Sequence, residues 1–280
     1  LLFYRPQLQR QRGDDFEAIT MTAHILREPI DIIKFVGIEH EQILVSLANG
    51  SEELKIIGHL QGLYRAPMSN ATGGENEFVL FQLLIFTHYH FLYALACHMR
   101  CHLSEAFASA RAAVDAALIA AQIIYDRASQ VAYAERTKPF DKLNRHYKNL
   151  MRDNKPLPHA LIPDLIKLHD AFSSFASHAD IASFVHRIEK VEGDTPTMAV
   201  QYFQFAKNKA ERQIHGLTLL HTFVMVLDVF ADFLVEEMKS VPGQWRDELH
   251  GLGGKIERQI EELKKQVPVD AVTGMQGATA

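Results

Sequence analysis

The sequence predicts an all-α protein, a multi-helix bundle with long antiparallel helices. Three observations carry this expectation. Apolar residues recur at spacings of three and four along most of the chain, the period that gives a helix one apolar face. Alternating apolar and polar runs bounded by turn residues, the mark of a half-buried strand, hardly occur. Residues 104–127 are rich in Ala, the residue that loses least on entering a helix. With 280 residues, 48% of them apolar and 22% charged, the chain can bury a sizeable core, and disorder of the whole chain is excluded.

Residues 1–20 have no apolar run of signal-peptide length and read as a poorly structured extension. Residues 21–64 read as an N-terminal helical subdomain. Pro29 suits the first turn of a helix reaching about Leu47, because its missing N–H is not needed there. Asn49, Gly50 and Ser51 form a stop followed by a new N-cap, opening a second helix to Leu63. Residues 65–76, with Pro67, Gly73 and Gly74, read as a loop.

The main bundle is expected over residues 75–267. Phe78 to Met99 contains no Asp, Glu, Lys or Arg and is long enough to cross a bilayer. It carries Gln82, Thr87, His88, His90 and His98, and the second apolar run, Ile214 to Val235, carries Asp228 and Asp232. Ionisable groups at membrane depth are costly, so buried helices of a soluble protein are expected, with no membrane. Beyond Ser104, a new helix or the continuation of one very long helix places Phe107, Ala110, Val114, Ala117, Ala121 and Ile124 on one face. Ser104, Arg111, Asp115, Gln122 and Asp126 fall on another.

A polar helix over about Asp141–Arg152 ends at the breaker Asn154–Pro158. Pro163 then opens a helix with the stripe Leu161, Leu165, Leu168, Phe172 and Phe175. Residues 177–196 are irregular, with a short hairpin near residues 181–200, around Gly193. A long helix from about Thr197 to Lys239 buries Leu217, Leu220, Val224, Leu227, Ala231 and Leu234, and Pro242 and Gly243 break it. The last helix is expected to begin after Gly253 and Gly254, with Ile256, Ile260, Leu263 and Val267 on one side. Such a helix is too short to stand alone, so its stripe must bury against its own bundle or a second copy. Residues 268–280 read as a flexible tail.

The net charge of −5 does not support nucleic-acid binding, and the basic stretch Arg136–Arg152 reads as a solvated helix face. Cys97 and Cys101, one helical turn apart, are poorly placed for a disulfide, which points to the reducing cytoplasm. No Gly-rich phosphate loop, dinucleotide fingerprint or Gly-x-Ser-x-Gly elbow occurs, so no cofactor is expected. His98 and His102, one turn apart, have the spacing of two zinc ligands, but the intervening Glu and a third ligand are missing, so no metal is assigned. The doublet His169–Asp170, with His146 and Asp228, is the available set for a metal-dependent hydrolase. Arg111 and Asp115 share a helix face, and if they point inward they need polar neighbours. Residues 177–187 offer such neighbours, so the candidate polar pocket is Arg111, Asp115, Ser177, His178 and His186, with His178 expected close to Arg111 and Asp115.

The order of a histidine-bearing apolar helix, ARAAVDAALIAAQIIYD, FSSFASHADIASFVHR and a long helix resembles bacterial all-α proteins related to the HEPN superfamily, over roughly Glu75 to Met238. In those proteins an Arg-x-x-x-acid helix precedes a Ser-His step. The resemblance implies an interaction or accessory module, a homodimer with a further protein partner. It also leaves open a divergent ribonuclease, using either Arg152 and His159, the only Arg-then-His match and one that spans Pro156 and Pro158, or the Arg111, Asp115 and His178 group.

Overall fold

The computed structural model describes residues 31–70, 77–176, 188–191, 197–200, 203 and 209–266. These form an all-α multi-helix bundle with one short hairpin. The expected extension (1–20), Pro29, the tail (268–280) and residues 177–187 lie outside the described residues.

Helix α1 (Ile32–Asn49) is capped by Asp31, whose extended backbone lets its carboxylate accept from the Lys34 N–H at 2.8 Å. Gly50 separates it from α2 (Ser51–Asn70); a Cβ at Gly50 would stand 2.8 Å from the Ser46 carbonyl oxygen, so the tight junction needs glycine. Helix α2 continues through Pro67, which corrects the loop expected from residue 65. Ile56, Leu60, Leu63, Tyr64 and Pro67 all bury along its inner face, and that burial outweighs the lost N–H of a proline in the last turn.

Helices α3 (Phe78–Met99) and α4 (Leu103–Tyr125) pack side by side and are two helices, not one. Cys101 takes the left-handed conformation, φ 62°. His102 N–H then donates to the Cys97 carbonyl at 2.9 Å and Cys101 N–H to His98 at 3.0 Å, the paired bonds of a Schellman stop. The apolar face of α4 is buried as its spacing requires: Phe107, Ala110, Val114, Ala117 and Ala121 are buried, and Ile124 packs on the core. Helix α4 packs against α3, α7 and α8, which explains its alanines: small side chains allow close helix approach on several sides.

The chain continues through α5 (Ser129–Ala134), a 3-10 turn (Phe140–Lys142), α6 (Leu143–Arg152) and α7 (Ile162–Ala176). Leu165 and Phe172 of the α7 stripe are buried, and Leu161, Leu168 and Phe175 pack on the core. Strands β1 (Ile188–Val191) and β2 (Thr197–Val200) pair antiparallel, Ile188 opposite Val200, where the hairpin is expected. The long helix expected from Thr197 is therefore corrected at both ends. Helix α8 is Lys209–Asp228, and after it a π-helical stretch, Phe233–Glu237, ends where Lys239 turns left-handed at φ 51°. All six residues of the expected inner face are buried.

Helix α9 is Gln244–Lys264, so the start expected after Gly254 is also corrected. Glycine ordinarily weakens a helix, but here Gly253 faces α8, where a Cβ would meet Val224 Cγ1 at 3.2 Å. Ile256 is buried and Ile260 and Leu263 pack on the core, so this stripe docks on its own bundle. Residues 51–64 share that same core. The Tyr64 hydroxyl donates to the Phe223 carbonyl at 2.9 Å, and the Trp245 indole donates to the Leu63 carbonyl at 3.1 Å, fastening α2 to α8 and α9.

Candidate functional sites

Arg111 and Asp115 come one turn apart on α4, facing α7. The partner of Asp115 is His169, whose Nε2 lies 3.3 Å from the carboxylate. On its other edge, His169 Nδ1 lies 2.7 Å from the Asn144 amide of α6. An Nε2–H tautomer donates to Asp115 and accepts from Asn144, so one ring ties α4, α6 and α7. Lys148 of α6 pairs with Asp170 at 2.7 Å beside it. Burial raises the Asp115 carboxyl above its ordinary range, while His169 and Arg111 pull it down. Arg111 Nε and Asn144 Oδ1 are buried without a hydrogen-bond partner. Ser177, His178 and His186, the other members of the expected pocket, lie outside the described residues. Sequence reading missed Asn144 as a member. His169 was singled out only for its doublet with Asp170, because nothing local signals that residues 115, 144 and 169 meet.

The histidines of α3 do not converge. His88 stacks on Tyr64 at 5.4 Å, with its Nε2 buried and unpartnered. His90 Nδ1 meets the Ser109 hydroxyl at 2.8 Å, and His102 Nε2 meets Glu39 at 2.8 Å. The His98 ring lies against α8, where a Cβ at Gly216 would stand 2.9 Å from its Nε2. Burial lowers the affinity of His88, His90 and His98 for a proton, with His98 pushed down to about 3. Burial pushes the Cys101 thiol up to about 11 and raises Cys97 as well, which makes both inert. Among the described residues no three His, Cys, Asp or Glu side chains are placed to hold a metal ion. The hydrolase set is divided: His169 takes Asp115 and Asn144, whereas Asp228 takes His250 at 2.9 Å and Arg246 at 3.8 Å.

Arg152 is exposed at the end of α6 and pairs with Asp153 at 3.2 Å. His159 lies at the entry to α7, where its Nδ1 accepts from the Leu161 N–H at 3.2 Å. Its charged surroundings are Asp228, Asp232 and Arg246, and burial lowers its proton affinity. These residues come from the α6–α7 turn, the end of α8 and the start of α9, a juxtaposition no local sequence signal announces.

The outer face of α3 is apolar and exposed, and α1 likewise exposes Ile32, Ile33, Val36, Leu44 and Leu47. Phe78, Ile85, Phe86, Tyr89, Leu92 and Tyr93 are 42–58% exposed. Tyr89 and Tyr93 stack one turn apart, with rings parallel at 6.0 Å, and Phe86 packs edge-on to His90 at 4.3 Å. Helices α3 and α4 both have the length and hydropathy of a membrane span; α4 is 61% buried inside the protein over that window but α3 only 39%. No family model, curated protein or solved structure matches the chain.

Proposed function

We propose that the chain is a helical interaction protein that acts as a homodimer through the outer face of α3. The observation that carries this reading is that six large apolar side chains stand exposed on a helix without one Asp, Glu, Lys or Arg from Phe78 to Met99. Each leaves on the order of 100 Å² open, so the face amounts to roughly 600 Å². A standard interface takes about 800 Å² from each partner, so α3 and its margins supply most of one side. Absence of charge favours a second copy: a chain of net charge −5 meets its like without repulsion there, and a charged partner finds nothing to pair with. Two copies of α3 crossing about a two-fold axis would bury the same stripe on both. A lipid surface fits less well, because the face lacks the basic flank that holds an amphipathic helix to anionic lipid.

The HEPN-like resemblance supports an accessory, dimeric role, and the buried free thiols support a cytoplasmic setting. RNA cleavage by Arg152 and His159 draws no support from the geometry, because Arg152 pairs outward with Asp153 and His159 faces Asp228, Asp232 and Arg246. Light scattering tests the reading. The protein should have twice its 31.7 kDa chain mass, and Ile85→Glu with Tyr89→Glu should halve that with helicity unchanged. A monomer at micromolar concentration, a dimer indifferent to both substitutions, or flotation with lipid vesicles that both substitutions abolish would overturn it.

A further inference from the structure

A cavity of about 70 Å³ lies where the α1–α2 junction, the second half of α3 and the first turns of α8 meet. It is about half the ~150 Å³ that encloses a benzene ring, which leaves room for about three to five heavy atoms. Leu54, Ile57, Leu95 and Leu220 supply apolar walls, and the His98 imidazole is set among them. Among the described residues neither ring nitrogen of His98 has a hydrogen-bond partner. Burial and the nearby Arg212 and His215 keep the ring neutral. A neutral imidazole carries one donor and one acceptor, and leaving either one unpaired away from water is costly. Gly216 borders the same cavity, and a Cβ there would stand 2.9 Å from Nε2. Glycine at this position therefore leaves that edge of the ring uncovered. The result is a small apolar chamber with one neutral, unsatisfied imidazole on its wall.

We propose that this cavity binds a small neutral hydroxyl compound, a short-chain alcohol, with its carbon chain against Leu95 and Leu220 and its hydroxyl hydrogen-bonded to the His98 ring. A hydroxyl both donates and accepts, so it suits the ring in either tautomer, whereas an ether or a ketone only accepts. An aromatic alcohol is too large for the volume. An anion would give up its hydration to apolar walls without a fixed counter-charge, because Arg212 is engaged with the Ser46 hydroxyl and Lys209 is exposed. A cation would meet the positive Arg212 on the same wall. None of the six exposed α3 side chains lines the cavity, so the proposal is independent of the dimer.

Magnetic resonance of the full chain with nitrogen-labelled histidine tests it. The probes are n-propanol, n-propyl chloride (the same shape without an O–H), propionate and n-propylammonium. Propanol should shift the His98 ring-nitrogen resonances and saturate at millimolar concentration, as expected for about four heavy atoms. The other three probes should each bind at least tenfold more weakly. His98→Phe keeps an aromatic ring but no nitrogen, so it should bind propanol and propyl chloride alike, with helicity retained. If that variant does not fold, the four probes on the unaltered chain decide by themselves. No saturable shift with propanol would mean that water alone fills the space and would overturn the proposal. Equal or tighter binding of propyl chloride, propionate or propylammonium would overturn it too, as would a preference for propanol that survives in a folded His98→Phe.

Discussion

His169 of α7 reaches Asp115 of α4, with Nε2 3.3 Å from the carboxylate, while its Nδ1 takes the Asn144 amide of α6 at 2.7 Å. His169→Ala removes both bonds at once and should lower unfolding stability by about 1–2 kcal/mol, toward the small end because Asp115 is partly open to water. Asp115→Asn keeps an oxygen to accept from Nε2–H and should change stability by less than about 0.5 kcal/mol at neutral pH. Urea unfolding of the two variants checks the contrast; equal losses would mean that the charge of Asp115, not its hydrogen bond, matters. The sign with pH follows from burial raising this carboxyl. Between its ordinary and its raised value the native state holds the proton more tightly, so this group's contribution to stability falls as pH rises through that window.

The neutral histidines give the opposite slope. Burial lowers the proton affinity of His88, His90, His98, His159 and His221. The unfolded chain takes up those protons near pH 6.5, so stability should decline as pH drops from about 7 toward 4. Each histidine that stays neutral contributes a slope of about 1.4 kcal/mol per pH unit. Denaturant midpoints at pH 7, 6 and 5 measure the slope, and His98→Gln should remove about one proton's worth of it. A midpoint flat across that range would contradict the burial of these rings.

Glycines should divide by what surrounds them. A Cβ at Gly216 would meet His98 Nε2 at 2.9 Å, so Gly216→Ala should destabilise by about 1–3 kcal/mol. A Cβ at Gly251 meets nothing within 4 Å, so Gly251→Ala should stabilise α9 by about 0.5–1 kcal/mol. Thermal melts of the pair should shift in opposite directions. A shift of the same sign would show that α8 does not close on His98.

Trp245 is the sole tryptophan and is buried, with its indole donating to Leu63. Its fluorescence should be blue-shifted when folded and move to the red on unfolding, reporting the docking of α2 on α9. Trp245→Phe should cost about 1–3 kcal/mol through lost packing and a Leu63 carbonyl left without its donor. A red-shifted native spectrum would show that α2 and α9 do not close over it.

The amphipathic stripes of α4, α7 and α8 were legible because a 3.6-residue period records burial directly, residue by residue. Junctions were less legible. Pro67 inside α2 and Gly253 inside α9 carry helix-breaking propensities of about 3 and 1 kcal/mol, which the burial of Pro67 and the close approach of Gly253 to Val224 override. Cys101 stops α3 in a conformation usually given to glycine, so no glycine marked the stop.

The sequence by itself determined the helical class, the inner faces and the charge-free character of Phe78–Met99, since period and composition are local properties. Only the tertiary structure decided where charge and exposure meet. It set Asp115 against His169 rather than along its own helix to Arg111, and it scattered the α3 histidines among Tyr64, Ser109 and Gly216. It also left one face of α3 open while closing α4 on several sides. These outcomes depend on which helices become neighbours, and that is settled by the packing of whole faces, not by any residue's local preference.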